Sequence, residues 1–229
     1  METLVTIKVS LVLHFYMADL DTGIRIKQKA HDLFMQYGLR SVSMDDIANS
    51  LGISKKTIYQ FYADKDELVD AVVEGEFKRN ENICEYDRSN SRNAVHEIFM
   101  AIDMIVEMFS SMNPALIFDM QKYYPKAFLK FHKYKNDYLF NVTRDNILRG
   151  IKEELYRAGI NVDIISRFRV ESMMMSFNPE FNSKLKDNMA EIEEELIIHY
   201  LYGLVSQKGY KMILKHQQER INNSKDAKK

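Results

Sequence analysis

The residues able to do chemistry in this chain crowd into one short stretch. Ser43, Ser54, Lys55, Lys56, Thr57, Tyr59, Gln60 and Lys65 supply hydroxyl, ammonium, phenol and amide groups, with Phe61 among them. Such side chains donate to phosphate oxygens and read base edges, which makes the expected chemistry recognition of nucleic acid. Lys55, Lys56, Thr57 and Tyr59 fall on one short helix after a glycine-containing turn, the shape required to enter the DNA major groove. Lysines at a helix start are ordinarily a solvated face. The linked short helices, the tight turn and the shared outward face raise this cluster above that reading.

Other chemistries find no support. His14, His31, His96, His132, His199 and His216 lie apart without metal-ligand spacing, and Cys84 has no partner motif. There is no glycine-rich phosphate loop. The acidic run Glu191 to Glu195 reads as a solvated helix start rather than a cation site. No catalytic residue, metal or cofactor is expected, and the chain does not read as an enzyme.

The positioning elements follow from apolar periodicity. Ile26, Ala30, Leu33, Phe34 and Tyr37 predict a first helix over about Asp21 to Tyr37, stopped by Gly38. Ser43 with Asp46 three residues on resembles a capping box, opening a second helix that buries Met44, Ile47, Ala48 and Leu51. Gly52 permits the left-handed turn, Ile53 packs inward, and Ser54 caps a third helix to about Tyr62 with Ile58 and Tyr62 inside. Asp64 caps a fourth helix, with Glu67 at N3 and an apolar stripe through Leu68, Val69, Val72, Val73 and Phe77. Asp45 and Asp46 suit a helix N-terminus, where they favour the dipole and the cap.

This run resembles the DNA-binding domain of the TetR/AcrR family of transcription regulators. The matching residues are Gly38, Ser43, Asp46-Ile47-Ala48, Leu51-Gly52-Ile53-Ser54, Thr57-Ile58-Tyr59, Lys65 and Leu68. The resemblance implies an all-α chain: an N-terminal three-helix helix-turn-helix domain, then a helical ligand-binding and dimerisation domain. It implies that Ser43, Tyr59 and Lys65 contact phosphate, and that Lys55, Lys56 and Thr57 reach base edges or nearby phosphates. Phe61 departs from the family pattern, which more often has Tyr or His there, so one backbone contact is missing or replaced by an apolar one. The resemblance also implies that the last two major helices of each protomer form a four-helix dimer bundle. Ile165, Phe168, Ser172, Ile197, Leu201, Gly203 and Leu204 are its expected interface.

Beyond Lys78 the chain shows no repeat and no low-complexity linker. A polar stretch, Asp87 to Asn93, marks a break before a helix over about Asn93 to Met112 that is apolar nearly all round. Such a helix is a central core element, or its methionine face lines a ligand cavity. The expected pocket residues are Phe99, Met100, Met104, Met108, Phe118, Phe128, Phe131 and Tyr138. Pro125 suits N1 of a long helix reaching about Ala158 and ended by Gly159; others follow over 161–177 and from Asn188 with Glu191. A short helix around Tyr210 to His216 precedes a polar, disordered tail. The expected division is an extension over 1–20, a DNA-binding domain over 21–67, an effector and dimerisation domain over 68–217, and a tail over 218–229.

Only 8 Gly and 3 Pro in 229 residues favour helix over turn-rich β structure. The 14 Met, 13 Phe and 13 Tyr suggest adaptable packing or an apolar pocket. The net charge of −1 rules out a global basic field, so DNA affinity must come from a local patch. A single cysteine suits a reducing cytoplasm. The apolar run Leu4 to Tyr16 is too short to span a bilayer and lacks a basic flank, which favours a native start at Met17 over an anchor or strand. The chain therefore reads as a homodimeric repressor of a palindromic double-stranded operator, released by a small apolar effector. The alternatives are a ligand-independent architectural DNA binder and a protein-interaction module whose DNA affinity has decayed.

Overall fold

The computed structural model describes residues 21–226, with side chains to Arg220. The expected extension over 1–20, the Met17 start and the last three residues of the tail lie outside the described residues. In chain order the helices are α1 (21–37), α2 (Met44–Leu51), α3 (Lys55–Ile58), α4 (Lys65–Asn90), α5 (Ala94–Ser110), α6 (Leu116–Tyr123) and α7 (Pro125–Lys133). A π-helical turn over Tyr134–Leu139 leads to α8 (Phe140–Lys152), α9 (Val162–Ser172), α10 (Pro179–Asn182), α11 (Met189–Leu204) and α12 (Gln207–Asp226). No strand occurs among the described residues, beyond one isolated bridge between Tyr156 and Val205.

The chain divides into two compact units. The first comprises the residues up to Glu76 together with Ala115–Phe128. Its buried residues are Ile26, Ala30, Phe34, Ile47, Ile58, Leu68 and Val69 from the N-terminal helices, Leu39 from the turn after α1, and Leu116, Ile117 and Met120 from α6. Two polar bonds fasten α6 to the turn after α1: the Arg40 N–H donates to Asp119 at 3.0 Å, and the Tyr124 hydroxyl donates to the Leu39 carbonyl at 3.5 Å. The Ser43–Asp46 capping box starts α2. Gly52, at φ 66°, ends it in the left-handed conformation that only a residue without Cβ adopts freely.

The second unit comprises Phe77–Pro114 and the chain from Leu129 onward. One face of α5 (Val95, Phe99, Ile102, Ile105, Phe109) and one of α11 (Ile197, Leu201, Leu204) form the centre of its core. Asn93, Asn161 and Asn188 cap α5, α9 and α11, each accepting a backbone N–H three residues on.

Helix boundaries differ from the periodicity reading in five places. The third helix ends at Ile58 rather than about Tyr62, and α9 ends at Ser172 with a separate 3-10 turn over Met175–Phe177. The polar stretch 87–93 is not a break throughout, because α4 continues to Asn90. The long helix from Pro125 ends at Lys152 rather than near Ala158. Glu154 turns left-handed at φ 60°, the Leu155 and Tyr156 N–H groups both bond the Gly150 carbonyl, and the Tyr156 ring folds back over Gly150. Its hydroxyl then bonds the Ala94 carbonyl at 3.2 Å and Asn146 at 3.0 Å. Burial of one aromatic ring therefore stops this helix, and Gly159 does not. The last helix runs from Gln207 to Asp226, longer than the expected 210–216, because Ile213 and His216 bury into the core and anchor its first half.

Candidate nucleic-acid interface

The two short helices α2 and α3 hold the recognition cluster through caps built from the cluster itself. The Ser43 hydroxyl accepts the Asp46 N–H at 3.2 Å, and Asp46 accepts the Ser43 N–H at 2.7 Å and its hydroxyl at 2.6 Å. These bonds, the hydroxyl's foremost, hold the Asp46 carboxyl below the usual carboxylate range, so the cap stays ionised at neutral pH. Ser54 caps α3 by accepting the Thr57 N–H at 3.1 Å, and the two hydroxyls lie 2.8 Å apart. Ser43, Ser54 and Thr57 therefore spend part of their bonding capacity locally, which fixes where their remaining lone pairs point.

The cations are disposed in three different ways. Lys56 is exposed and forms no ion pair among the described residues. The Lys55 ammonium donates to Asp45 at 2.8 Å, a bond that raises its pKa and ties α3 to the start of α2. Lys65 turns inward: its ammonium donates to the Leu39 carbonyl at 2.5 Å, 5.8 Å from the Phe34 ring centre and 5.6 Å from that of Tyr124. Desolvation there lowers its pKa.

Tyr59 is exposed at the C-terminus of α3, and Gln60 beside it is also exposed. Phe61 lies with its ring edge against Gly23, where a Cβ would stand 3.2 Å from the ring. The Tyr62 hydroxyl bonds the Gly23 carbonyl at 3.2 Å. Phe61 and Tyr62 thus clamp α1 to the end of the recognition segment. Asp45 and Asp119, as partners of Lys55 and of the Arg40 backbone, did not emerge from sequence reasoning. Asp119 and Tyr124 lie far along the chain from the turn they fasten, and no local pattern marks them.

The expected pocket residues divide between the two units. Phe118 and Phe128 belong to the first unit, and Phe118 is exposed with Lys122 over its ring. In the second unit Phe99 is core, while Met104 and Met108 pack against that core. Phe131 and Tyr138 join an aromatic row: Phe77 stacks on Tyr134 at 4.3 Å, Tyr134 on Tyr138 at 5.3 Å, and Phe77 meets Phe131 at 6.3 Å. Beside this row the Asn80 amide nitrogen reaches the Met108 sulfur at 4.0 Å, and the buried Asn80 Oδ1 has no hydrogen-bond partner. Among the expected interface residues, Ile197, Leu201, Leu204 and Ser172 are buried in their own chain. Ile165 is half-buried, Phe168 is exposed, and Gly203 faces open space.

No group of three or more His, Cys, Asp or Glu that could hold a metal ion occurs among the described residues. No described helix is long and apolar enough to cross a membrane.

Residues 26–72 match the profile of the bacterial regulatory proteins, tetR family. Over 187 residues the chain is 27% identical to YvaF, an uncharacterised HTH-type transcriptional regulator of Bacillus subtilis; the match covers 80% of this chain and 95% of YvaF. It is 25% identical over 140 residues to the HTH-type transcriptional repressor KstR2 of Mycobacterium tuberculosis, covering 59% of this chain and 70% of KstR2. Two solved structures share the fold. One is a TetR-family regulator from Agrobacterium tumefaciens (TM-score 0.69, 14% identity, 82% of this chain and all of that one). The other is the ketosteroid transcriptional regulator KstR2 (TM-score 0.58, 18% identity, 81% of this chain and 96% of that one).

Proposed function

Because the chain belongs to the TetR family of bacterial regulatory proteins, we propose that it is a homodimeric, cytoplasmic repressor of a palindromic operator, released by a small apolar effector. Members of this family regulate transcription and are not enzymes. The observation that carries the proposal is the capped α2–Gly52–α3 unit, which projects Lys56, Tyr59 and Gln60 outward from one rigid face.

In this reading Lys55, Lys56 and Thr57 face base edges or nearby phosphates, and Ser43 and Tyr59 bind phosphate. Lys65 positions the turn that carries Leu39 and Arg40. The net charge of −1 gives one domain little non-specific affinity, so tight binding requires two recognition helices on half-sites one helical turn apart. Exposed Ile164 and Phe168 on α9 and Tyr202 on α11 supply apolar surface for the second copy.

The effector site belongs to the second unit, where Met104, Met108, Phe131 and Tyr138 offer soft and aromatic walls. The unpartnered Asn80 Oδ1 offers an acceptor to a ligand donor. A π-helical turn in the middle of the Pro125–Lys152 run fits a functional site, because such rare single-turn insertions in α-helices occur frequently at functional sites. The similar KstR2 is a repressor and a ketosteroid transcriptional regulator, in keeping with repression relieved by an apolar molecule.

A mobility-shift experiment on the DNA upstream of the chain's own coding region, with and without cell extract, tests the reading. The expected result is a dimer-sized shift that the extract relieves. No shift on any such DNA overturns it.

A further inference from the structure

His96 and His216 lie far apart in the chain, and no motif links them. In the second unit their rings stack 5.1 Å apart and 4° from parallel, between the start of α5 and the middle of α12. They line a cleft of about 170 Å³ together with Arg92, Phe99, Met100, Asp103, Glu219 and Arg220. That volume is below the ~300 Å³ at which drug-sized pockets begin, so an occupant is small.

The hydrogen bonding assigns each ring. The Arg92 N–H donates to His96 Nδ1 at 3.0 Å, so the neutral His96 ring carries its proton on Nε2. His216 Nδ1 lies 3.4 Å from a Glu219 carboxylate oxygen, which can only accept. That leaves His216 Nε2 as a bare lone pair on a ring 4% exposed, and it has no partner. A buried unpaired polar atom is costly, and the ring that carries it lines the cleft.

The charges around His216 nearly cancel. Arg92, Lys215 and Arg220 stand against Asp103, Glu194 and Glu219, with Arg92 bonded to Glu219, Lys215 3.9 Å from Glu219, and Arg220 bonded to Asp103 and Glu194. Burial lowers the pKa of both histidines, so the cleft is neutral when empty. A bare anion entering such a site gains little. An anion that arrives with a proton leaves the charge balance unchanged, satisfies the orphaned nitrogen as N–H, and finds spare guanidinium donors on Arg92. The Phe99 ring, tilted 34° against His216 at 5.2 Å, offers the rest of the molecule an aromatic wall.

We propose that this cleft binds a small aromatic carboxylic acid, as a carboxylate together with one proton taken up by His216 Nε2. The inference is separate from the DNA reading and is tested without DNA. Benzoate is the probe and benzamide its neutral counterpart, titrated into the full chain by calorimetry in buffers of different ionisation enthalpy. The expected result is saturable benzoate binding with uptake of one proton and an affinity falling about tenfold per pH unit above neutrality. Benzamide should show no such dependence. His216→Phe should abolish the proton uptake. Should that variant fail to fold, Arg92→Gln on the rim should weaken benzoate and leave benzamide unchanged. No benzoate binding, binding without proton uptake, or equal binding by a folded His216→Phe overturns the proposal.

Discussion

Replacing Lys65 by Met separates two roles that its position in the chain leaves open. A lysine at the start of α4 beside the recognition segment is well placed for phosphate. In the fold its ammonium instead donates to the Leu39 carbonyl at 2.5 Å and sits near the Phe34 and Tyr124 rings. Met keeps the aliphatic stem and removes the charge. A hydrogen bond to a charged group contributes about 1.5–3 kcal/mol, and a partly exposed cation–π contact about 0.5–1 kcal/mol. Desolvation of the ammonium, which lowers its pKa, offsets part of this. The net expectation is a loss of about 1–2 kcal/mol, read as a lower urea midpoint for the full chain. Operator affinity should fall with it, while the slope of log affinity against log salt stays as in the wild type. A phosphate contact predicts the reverse: an unchanged midpoint and a slope reduced by about 0.9. That second outcome would refute the inward role.

Other consequences follow from the same contacts. Asp45→Asn frees the Lys55 ammonium from its 2.8 Å partner, so affinity for random-sequence DNA should rise and the ratio of specific to non-specific binding should fall, as measured by fluorescence anisotropy. At Gly150 an added Cβ would lie 2.1 Å from the Tyr156 ring, so Gly150→Ala must displace that ring and its two hydroxyl bonds. A loss of about 3–5 kcal/mol in urea unfolding is expected, against ~1–3 kcal/mol for simple overpacking. The Glu76 carboxylate lies 3.1 Å from His31 Nε2 and raises the imidazole pKa above 6.5 despite burial. Its stabilisation is therefore complete below pH 6.5 and lost as pH rises through the folded value, so the stability gap between wild type and His31→Gln should narrow from pH 6 towards pH 8.

What the sequence determined by itself was local. Caps, glycine stops and i, i+3, i+4 periodicity depend on residues within a turn or two, so Ser43, Gly52, Ser54 and Asn188 could be placed from the sequence alone. The outward face of α3 followed from the inward burial of Ile58 on the same short helix. What only the tertiary structure decided was which of these groups meet. Lys65 belongs to a helix start in the sequence and to a carbonyl 26 residues earlier in the fold. Helix α6 carries no helix-turn-helix signal, yet Asp119 and Tyr124 fasten it to the turn after α1. The long helix stops at Lys152 because Tyr156 finds burial over Gly150, a contact that periodicity does not register. His96 and His216 looked isolated by spacing and stack face to face because α12 docks on α5. Backbone geometry and caps are set by neighbours in sequence, whereas burial and charge pairing are set by neighbours in space.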